Sequence, residues 1–230
     1  MPENNRTSRG VLAYWFDIAP QVTEEWLHWY LHDHMPSRVG TTFLSGRCYE
    51  RIQGNASHMV LFETSTSGAL LDPAYLALLG KVSDEDRQRR GWYANPVRVT
   101  CRVVARFGRG TGGVLGVIRV NRGGRAPDDV RQCLVNEVLP ALSRHACIGS
   151  VWLVENDPEL RARMDAVRVT GHRDGSSDWA MLIEAGHDKD LAAAMHDIAE
   201  MASWRVLELG DHAAFDRYRL LYTMNQVDEG

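Results

Sequence analysis

The sequence predicts an α+β protein built from two tandem βαββαβ units, whose two antiparallel sheets pack together as a barrel within a single chain. Three observations lead there. Two apolar runs of similar make-up, Gly10 to Phe16 and Gly113 to Val120, each precede a turn and a helical stretch. Pro36 and Pro140, 104 positions apart, lie near the two helix ends, and each is followed ten residues later by a small residue that opens a strand, Gly46 or Ser150. Between the units, Arg106 to Gly113 holds four glycines in eight residues, which reads as a connector.

Taken in order, the opening runs are rich in β-branched or aromatic residues and short enough for buried strands. In the first unit Thr23 reads as a helix cap, with Glu24 and Glu25 in the first turn where negative charge suits the helix dipole, and the helix extends from Trp26 to about Met35. In the second, Pro127, Asp128 and Asp129 open a helix through Leu134 and Val138. Strands are expected at 46–52 and 150–155, then at 57–64 and 178–185, the latter pair ending near Glu63 and Glu184, 121 positions apart. Helices follow at 69–79 and 189–201, and closing strands at 96–107 and 215–227. This order, met twice, is the ferredoxin-like split βαβ arrangement. The offset grows from 104 to 121, so about 17 extra residues lie in the second unit, in the polar stretch 157–177, which reads as a loop. Within it Gly171-His172-Arg173-Asp174-Gly175 reads as a turn.

The division is therefore a disordered tail at 1–9, a first ferredoxin-like repeat at 10–107, a Gly-rich linker at 108–113 and a second, diverged repeat at 114–230. A sheet with helices on one face leaves the other bare, and strands apolar on both faces need cover on both. Packing the two sheets face to face provides it, with a pocket expected in the space between them.

Composition sets the remaining bounds. Apolar residues at 44% and charged residues at 24% suit a globular chain, and a formal net charge of −4 leaves no basic footprint for nucleic acid. No apolar run approaches the ~18 residues of a membrane span, and no secretory signal opens the chain. The four cysteines, at 48, 101, 133 and 147, form no Cys-x-x-Cys pair and no zinc spacing, and read as structural thiols in a reducing cytoplasm.

The stretch Trp26-Leu27-His28-Trp29-Tyr30-Leu31-His32-Asp33-His34-Met35-Pro36-Ser37-Arg38, followed by Phe43-Leu44-Ser45-Gly46-Arg47-Cys48-Tyr49, resembles the W-Y-x-x-x-H-x-P-x-R … G-F-x-x-x-R-x-Y segment of EthD-like proteins of the dimeric α/β barrel superfamily. Leu61-Phe62-Glu63 and Leu70 to Leu79 are similar to a two-copy bacterial branch of that group. The second unit matches by pattern only, with Val138 where His34 would stand. The resemblance implies an intramolecular dimeric α/β barrel. Its superfamily spans cofactor-free monooxygenases, isomerases, polyketide cyclases, dehydratases and heme enzymes, so it does not fix the reaction.

His34 is the sharpest catalytic candidate. It lies at a helix C-terminus, which favours an imidazolium, on one stripe with Trp26 and Tyr30. An imidazole titrating near neutrality suits acid/base work next to a carbonyl, the role the resemblance implies; the alternative is a histidine that caps the helix carbonyls. Tyr49 is the second catalytic candidate, as a donor to a developing oxyanion. Arg47, on the same strand face, can hold a carboxylate, and together with Trp26, Tyr30 and His58 it is a candidate for substrate binding. Glu63 and Glu184 occur in both units and suit a shared architectural role. His28 and His32 lack a third ligand of known position and read as surface histidines, so no metal is expected.

The expectation is a cofactor-independent, cytoplasmic enzyme acting on a small apolar or aromatic substrate, with a His acid/base working on an aromatic or polyketide-like carbonyl compound in a dehydratase, cyclase or isomerase reaction. The alternatives are a cofactor-free monooxygenase of the same fold, heme use with His145 or His196 as axial ligand, and a non-catalytic ligand-binding or stress protein with an aliphatic cavity. No nucleic-acid or membrane partner is expected. Closure within one chain makes an obligate dimer unnecessary, though a homodimer through outer faces stays open.

Overall fold

The computed structural model describes residues 8–169 and 174–227. Most of the expected tail, and the turn expected at 171–175 as far as Arg173, lie outside the described residues. The first unit comprises β1 (Gly10–Asp17), α1 (Thr23–Trp29), β2 (Ser45–Gln53), β3 (His58–Thr64), α2 (Pro73–Gly80), α3 (Asp84–Arg90) and β4 (Ala94–Gly108). The second comprises β5 (Val114–Val120), α4 (Pro127–Cys133), α5 (Leu139–Ser143), β6 (Ile148–Asn156), α6 (Pro158–Val167), β7 (Trp179–Ala185), α7 (Asp188–Glu200), α8 (Ala202–Val206) and β8 (Ala213–Asn225). The strands close into one barrel in the order β1-β3-β2-β8-β5-β7-β6-β4, with every neighbouring pair antiparallel. The two sheets thus join edge to edge, through β2–β8 and β4–β6, and no sheet edge is left open. Among the described residues, no helix is long and apolar enough to cross a membrane.

An eight-stranded barrel is just wide enough for side chains to fill, and here they do. Val11, Ala13 and Trp15 of β1 point inward to meet Met59, Leu61, Trp152 and Leu182, while Leu12 and Phe16 point outward beneath the first unit's helices. That alternation explains why β1 is apolar on both faces. It also corrects the expected position of the pocket: the space between the sheets is occupied by core side chains.

At one end of the interior Arg47 ties the units together. Its Nη2 donates to Glu63 Oε1 at 2.6 Å and its Nη1 donates to Glu184, whose other oxygen accepts from the Gly112 amide at 3.1 Å. Burial raises the Glu184 carboxyl above its ordinary value, and the Arg47 charge offsets part of that rise. The two glutamates at matching positions therefore share one cation, one from each copy.

Local sequence accounts for the departures from expectation. Thr23 is the first residue of α1 rather than its cap, and its hydroxyl donates back to the Ala19 carbonyl. Both first helices contain a π-helical turn, Tyr30–His34 and Leu134–Val138, at the same offset of 104. Ser83 caps α3 by accepting from the Asp86 amide at 3.0 Å, with Asp84, Glu85 and Asp86 in the first turn and arginines in the last. The polar insertion in the second unit is not simply a loop. Asp157 caps α6, whose Leu160 and Met164 are buried in the core of the first unit. The chain then passes Leu79, where the Val169 amide donates to the Leu79 carbonyl, and from Asp174 onward it pairs with β4, where the Arg98 amide donates to Gly175. A piece of the second copy thus covers the first.

Replacing Arg47 by Met leaves Glu63 and Glu184 buried side by side, and should cost about 3–5 kcal/mol of unfolding free energy in urea titrations. A loss below about 1 kcal/mol would mean that the cation does not hold the closure together.

Candidate functional site

The site is a cleft on the outer face of the first sheet, beneath α1, α2 and α3. Its empty volume is about 580 Å³, part of it open to solvent. The floor is Leu12 and Tyr14 of β1 with Val60 and Phe62 of β3. The helical wall contributes Tyr30 and His34 from the π-helical turn, with Arg38 just beyond it. Arg90, Tyr93 and Arg98 close one side, and Arg168, from the crossing segment of the second unit, closes another.

The π-helical turn sets the angle at which His34 meets the cleft. The Met35 amide donates to the Tyr30 carbonyl at 2.8 Å, one residue further back than in an α-helix. The rings of Trp26, Tyr30 and His34 run in one stripe, with centroids 5.1 and 4.9 Å apart along it. Gly46 lets the helix end approach the sheet, since a Cβ there would meet Phe62 at 2.8 Å and Met35 at 3.1 Å.

His34 keeps some exposure as a residue, yet its Nδ1 is buried and has no hydrogen-bond partner among the described residues. It does not cap the helix: Arg38 and Ser37 donate to its carbonyl, at 2.7 and 2.8 Å. Burial holds the imidazole well below its ordinary value of 6.5, helped by the positive charges of Arg38 and Arg90. The expectation of an imidazolium favoured by the helix end is thereby corrected, because desolvation and two guanidinium groups outweigh the helix dipole. His34 is neutral at pH 7, a proton acceptor rather than a donor of charge.

The phenols around it keep their protons. Burial pushes Tyr14 up to about 12, with Asp174 adding to the rise, and burial also raises Tyr30 and Tyr93. The Tyr93 hydroxyl accepts from Trp26 Nε1 at 3.1 Å. Arg98 and Arg168 both pair with the buried Asp174, toward which the Tyr14 hydroxyl also points at 3.5 Å.

Of the residues singled out from sequence, His34 and Tyr30 line this cleft. Trp26 is wholly buried behind them, packed on Phe16 and His58. His58 stacks near Phe16 and shares a hydrogen bond of 2.9 Å with the Ser57 hydroxyl, within the core rather than the cleft. Tyr49 and Arg47 project to the opposite face of the sheet, into the barrel interior, so neither reaches His34. The period of two placed them together correctly but could not say which face was which. His28 and His32 are exposed, with ring centroids 4.6 Å apart, and no group of three potential metal ligands occurs among the described residues. His145 lies 3.7 Å from Asp197, and His196 lines a shallow cleft with Phe215 and Arg217, both away from this site. The residues that sequence reasoning left unassigned are Arg38, Arg90, Tyr93, Arg98 and Arg168. Arg38 stood in the quoted motif, and Tyr14 shares the outward face with Leu12 and Phe16.

The second unit is an internal control. At the constant offset of 104, Tyr14, Tyr30, His34 and Arg38 correspond to Ile118, Leu134, Val138 and Leu142, all buried in an aliphatic core beneath the second unit's helices. The same architecture, with the same π-helical turn, closes there with aliphatic side chains at these four positions.

No family model and no curated protein matches the sequence. Solved structures do match in fold. An anthrone oxidase-like protein superposes with a TM-score of 0.62 at 8% identity, covering 97% of this chain and 95% of that one. A protein from Fusobacterium nucleatum subsp. nucleatum, proposed to be a monooxygenase, gives 0.59 at 8% identity over 96% and 95%. A variant of chlorite dismutase from Candidatus Nitrospira defluvii gives 0.54 at 11% identity over 93% and 91%. The chain has the dimeric α/β barrel fold, and at these identities the likeness speaks to fold alone.

Folded His34 resists protonation, whereas the unfolded chain takes the proton near 6.5, so stability should fall as pH drops below that value. Between about pH 7.5 and about pH 5.5, urea midpoints should show His34→Val gaining about 1 kcal/mol on the wild type. Parallel pH profiles for the two proteins would show that His34 titrates normally.

Proposed function

We propose that the cleft of the first unit is the active site of a cofactor-independent enzyme that moves a proton on a small aromatic or polyketide-like carbonyl compound, with His34 as the general base. The observation that carries this reading is the internal one. Four polar residues line one copy where the other has four aliphatic ones, so the fold itself does not require them.

The chemistry follows from the charges. A neutral imidazole takes a proton from an acidic C–H or O–H next to a carbonyl, leaving an enolate or phenolate. The arginines that keep His34 neutral also favour the anion that forms, and protonated phenols can donate to its oxygen. Because the base carries a low proton affinity, the substrate must be acidic, which suits conjugated carbonyls and phenols. Return of the proton at another atom gives an isomerisation, whereas attack of the carbanion on a second carbonyl of the same molecule, whose oxygen then takes the proton, gives a cyclisation. Addition of dioxygen to the same carbanion, with the proton returned to the outer oxygen, gives a hydroperoxide that loses water to leave a new carbonyl; the depressed imidazole favours this monooxygenase reading equally, since anion formation is the first step of both. A passive apolar carrier fits less well, as its cavity should resemble the aliphatic interior of the second unit.

Anthrone serves as the probe, having an acidic C–H conjugated to a carbonyl. Under anaerobic conditions in D₂O the wild type should accelerate exchange at that carbon, and His34→Gln should lose at least about tenfold of the acceleration. Equal rates for the two proteins would remove His34 as the base. In air, oxygen uptake in step with exchange selects the monooxygenase reading, and exchange without uptake selects simple proton transfer. Tyr49→Phe should leave exchange within about twofold of wild type, because its hydroxyl lies inside the barrel.

A further inference from the structure

The guanidinium groups of the cleft differ in what they touch. Arg98 and Arg168 share Asp174, and Arg98 also pairs with Asp165. Arg38 is only 7% exposed and makes no ion pair among the described residues. Its Nη1 donates to the His34 carbonyl and to the Ser37 hydroxyl, each at 2.7 Å, and both acceptors are neutral. A buried cation held only by neutral acceptors keeps a large desolvation cost without an opposing charge to offset it. Its planar fork matches the geometry of a carboxylate. The second unit has the buried Leu142 at this position, so helix packing alone does not call for a cation.

We propose that Arg38 is the anchor for an anionic ligand, and that the compound bound in the cleft is an aromatic acid whose carboxylate lies on Arg38 and whose ring lies against Leu12, Val60 and Phe62. This rests on the reading of the cleft given above and narrows its substrate class. It differs in what it asks of Arg38: a guanidinium that served only the anion formed during reaction would leave affinity for an acid and its amide equal. A bound carboxylate also offsets the positive field on His34 and makes the imidazole a better proton acceptor, so substrate charge and base strength are coupled.

The test compares 2-naphthoate with 2-naphthamide, of the same shape without the charge, by isothermal titration on the wild type, Arg38→Leu and His34→Gln. The wild type should bind the acid at least about tenfold more tightly, the gain expected of a charge-assisted bidentate pair. Arg38→Leu, which installs the residue of the second copy, should erase the preference while amide binding persists, the persistence showing that the variant is folded. Should it fail to fold, Arg38→Gln must erase the preference instead. His34→Gln should retain the preference, so failure of the proton-transfer reading leaves this result intact. Equal affinity for acid and amide, a preference that survives in the Arg38 variants, or no binding of naphthoate at all would overturn the proposal.

Discussion

Core side chains occupy the barrel interior, and that constraint puts the cleft around His34 elsewhere. Trp15, Tyr49, Met59, Leu61, Trp152, Leu182 and Tyr218 occupy the space enclosed by the eight strands. The Arg47 cluster ties Glu63 of one copy to Glu184 of the other at one end of it. With both sheets committed to this shared core, the cleft around His34 lies on an outer face, between the first sheet and its own helices. The matching space beneath the second sheet is filled differently.

Beneath the second sheet the space is closed by aliphatic side chains around Leu134, Val138 and Leu142. Beneath the first, polar groups hold it open. Arg38 and His34 are stripped of much of their hydration without forming an ion pair among the described residues, and the tyrosines are buried deeply enough to lose acidity. Such an arrangement lowers stability relative to an apolar core and persists where a site needs it. The division of labour between the copies continues in α6, which leaves the second unit to bury Leu160 and Met164 in the first and to bring Arg168 and Asp174 to the cleft. The cleft is therefore assembled from both copies, although only the first has a histidine at this position of the helix.

Much of the fold was legible in the sequence. Strand runs with period-two apolar faces, paired prolines at offset 104 and a glycine-rich connector fix the order of elements, and each is a local signal. α3 and α6 were not expected: Ser83 with three acids behind it, and Asp157-Pro158 ahead of Leu160 and Met164, are the signals for them, but high polarity masked both. The side of the sheet on which the pocket lies was not legible. Alternation tells which residues share a face, whereas the choice between interior and exterior depends on how the two sheets meet. Tyr49 and Arg47 were grouped with His34 for that reason, while Tyr14 and Arg38, its actual neighbours, carried only weak local signals. The low proton affinity of His34 was likewise hidden, since Arg90 lies 56 positions away in sequence and burial is a tertiary property.

The location of a bound aromatic ligand tests the central claim most directly. Isotope-filtered NOEs from 2-naphthoate to the protein should reach the side chains of Leu12, Val60 and Phe62 on the outer face of the first sheet. Contacts to Trp15, Tyr49 or Tyr218 instead would place the ligand inside the barrel and contradict the account.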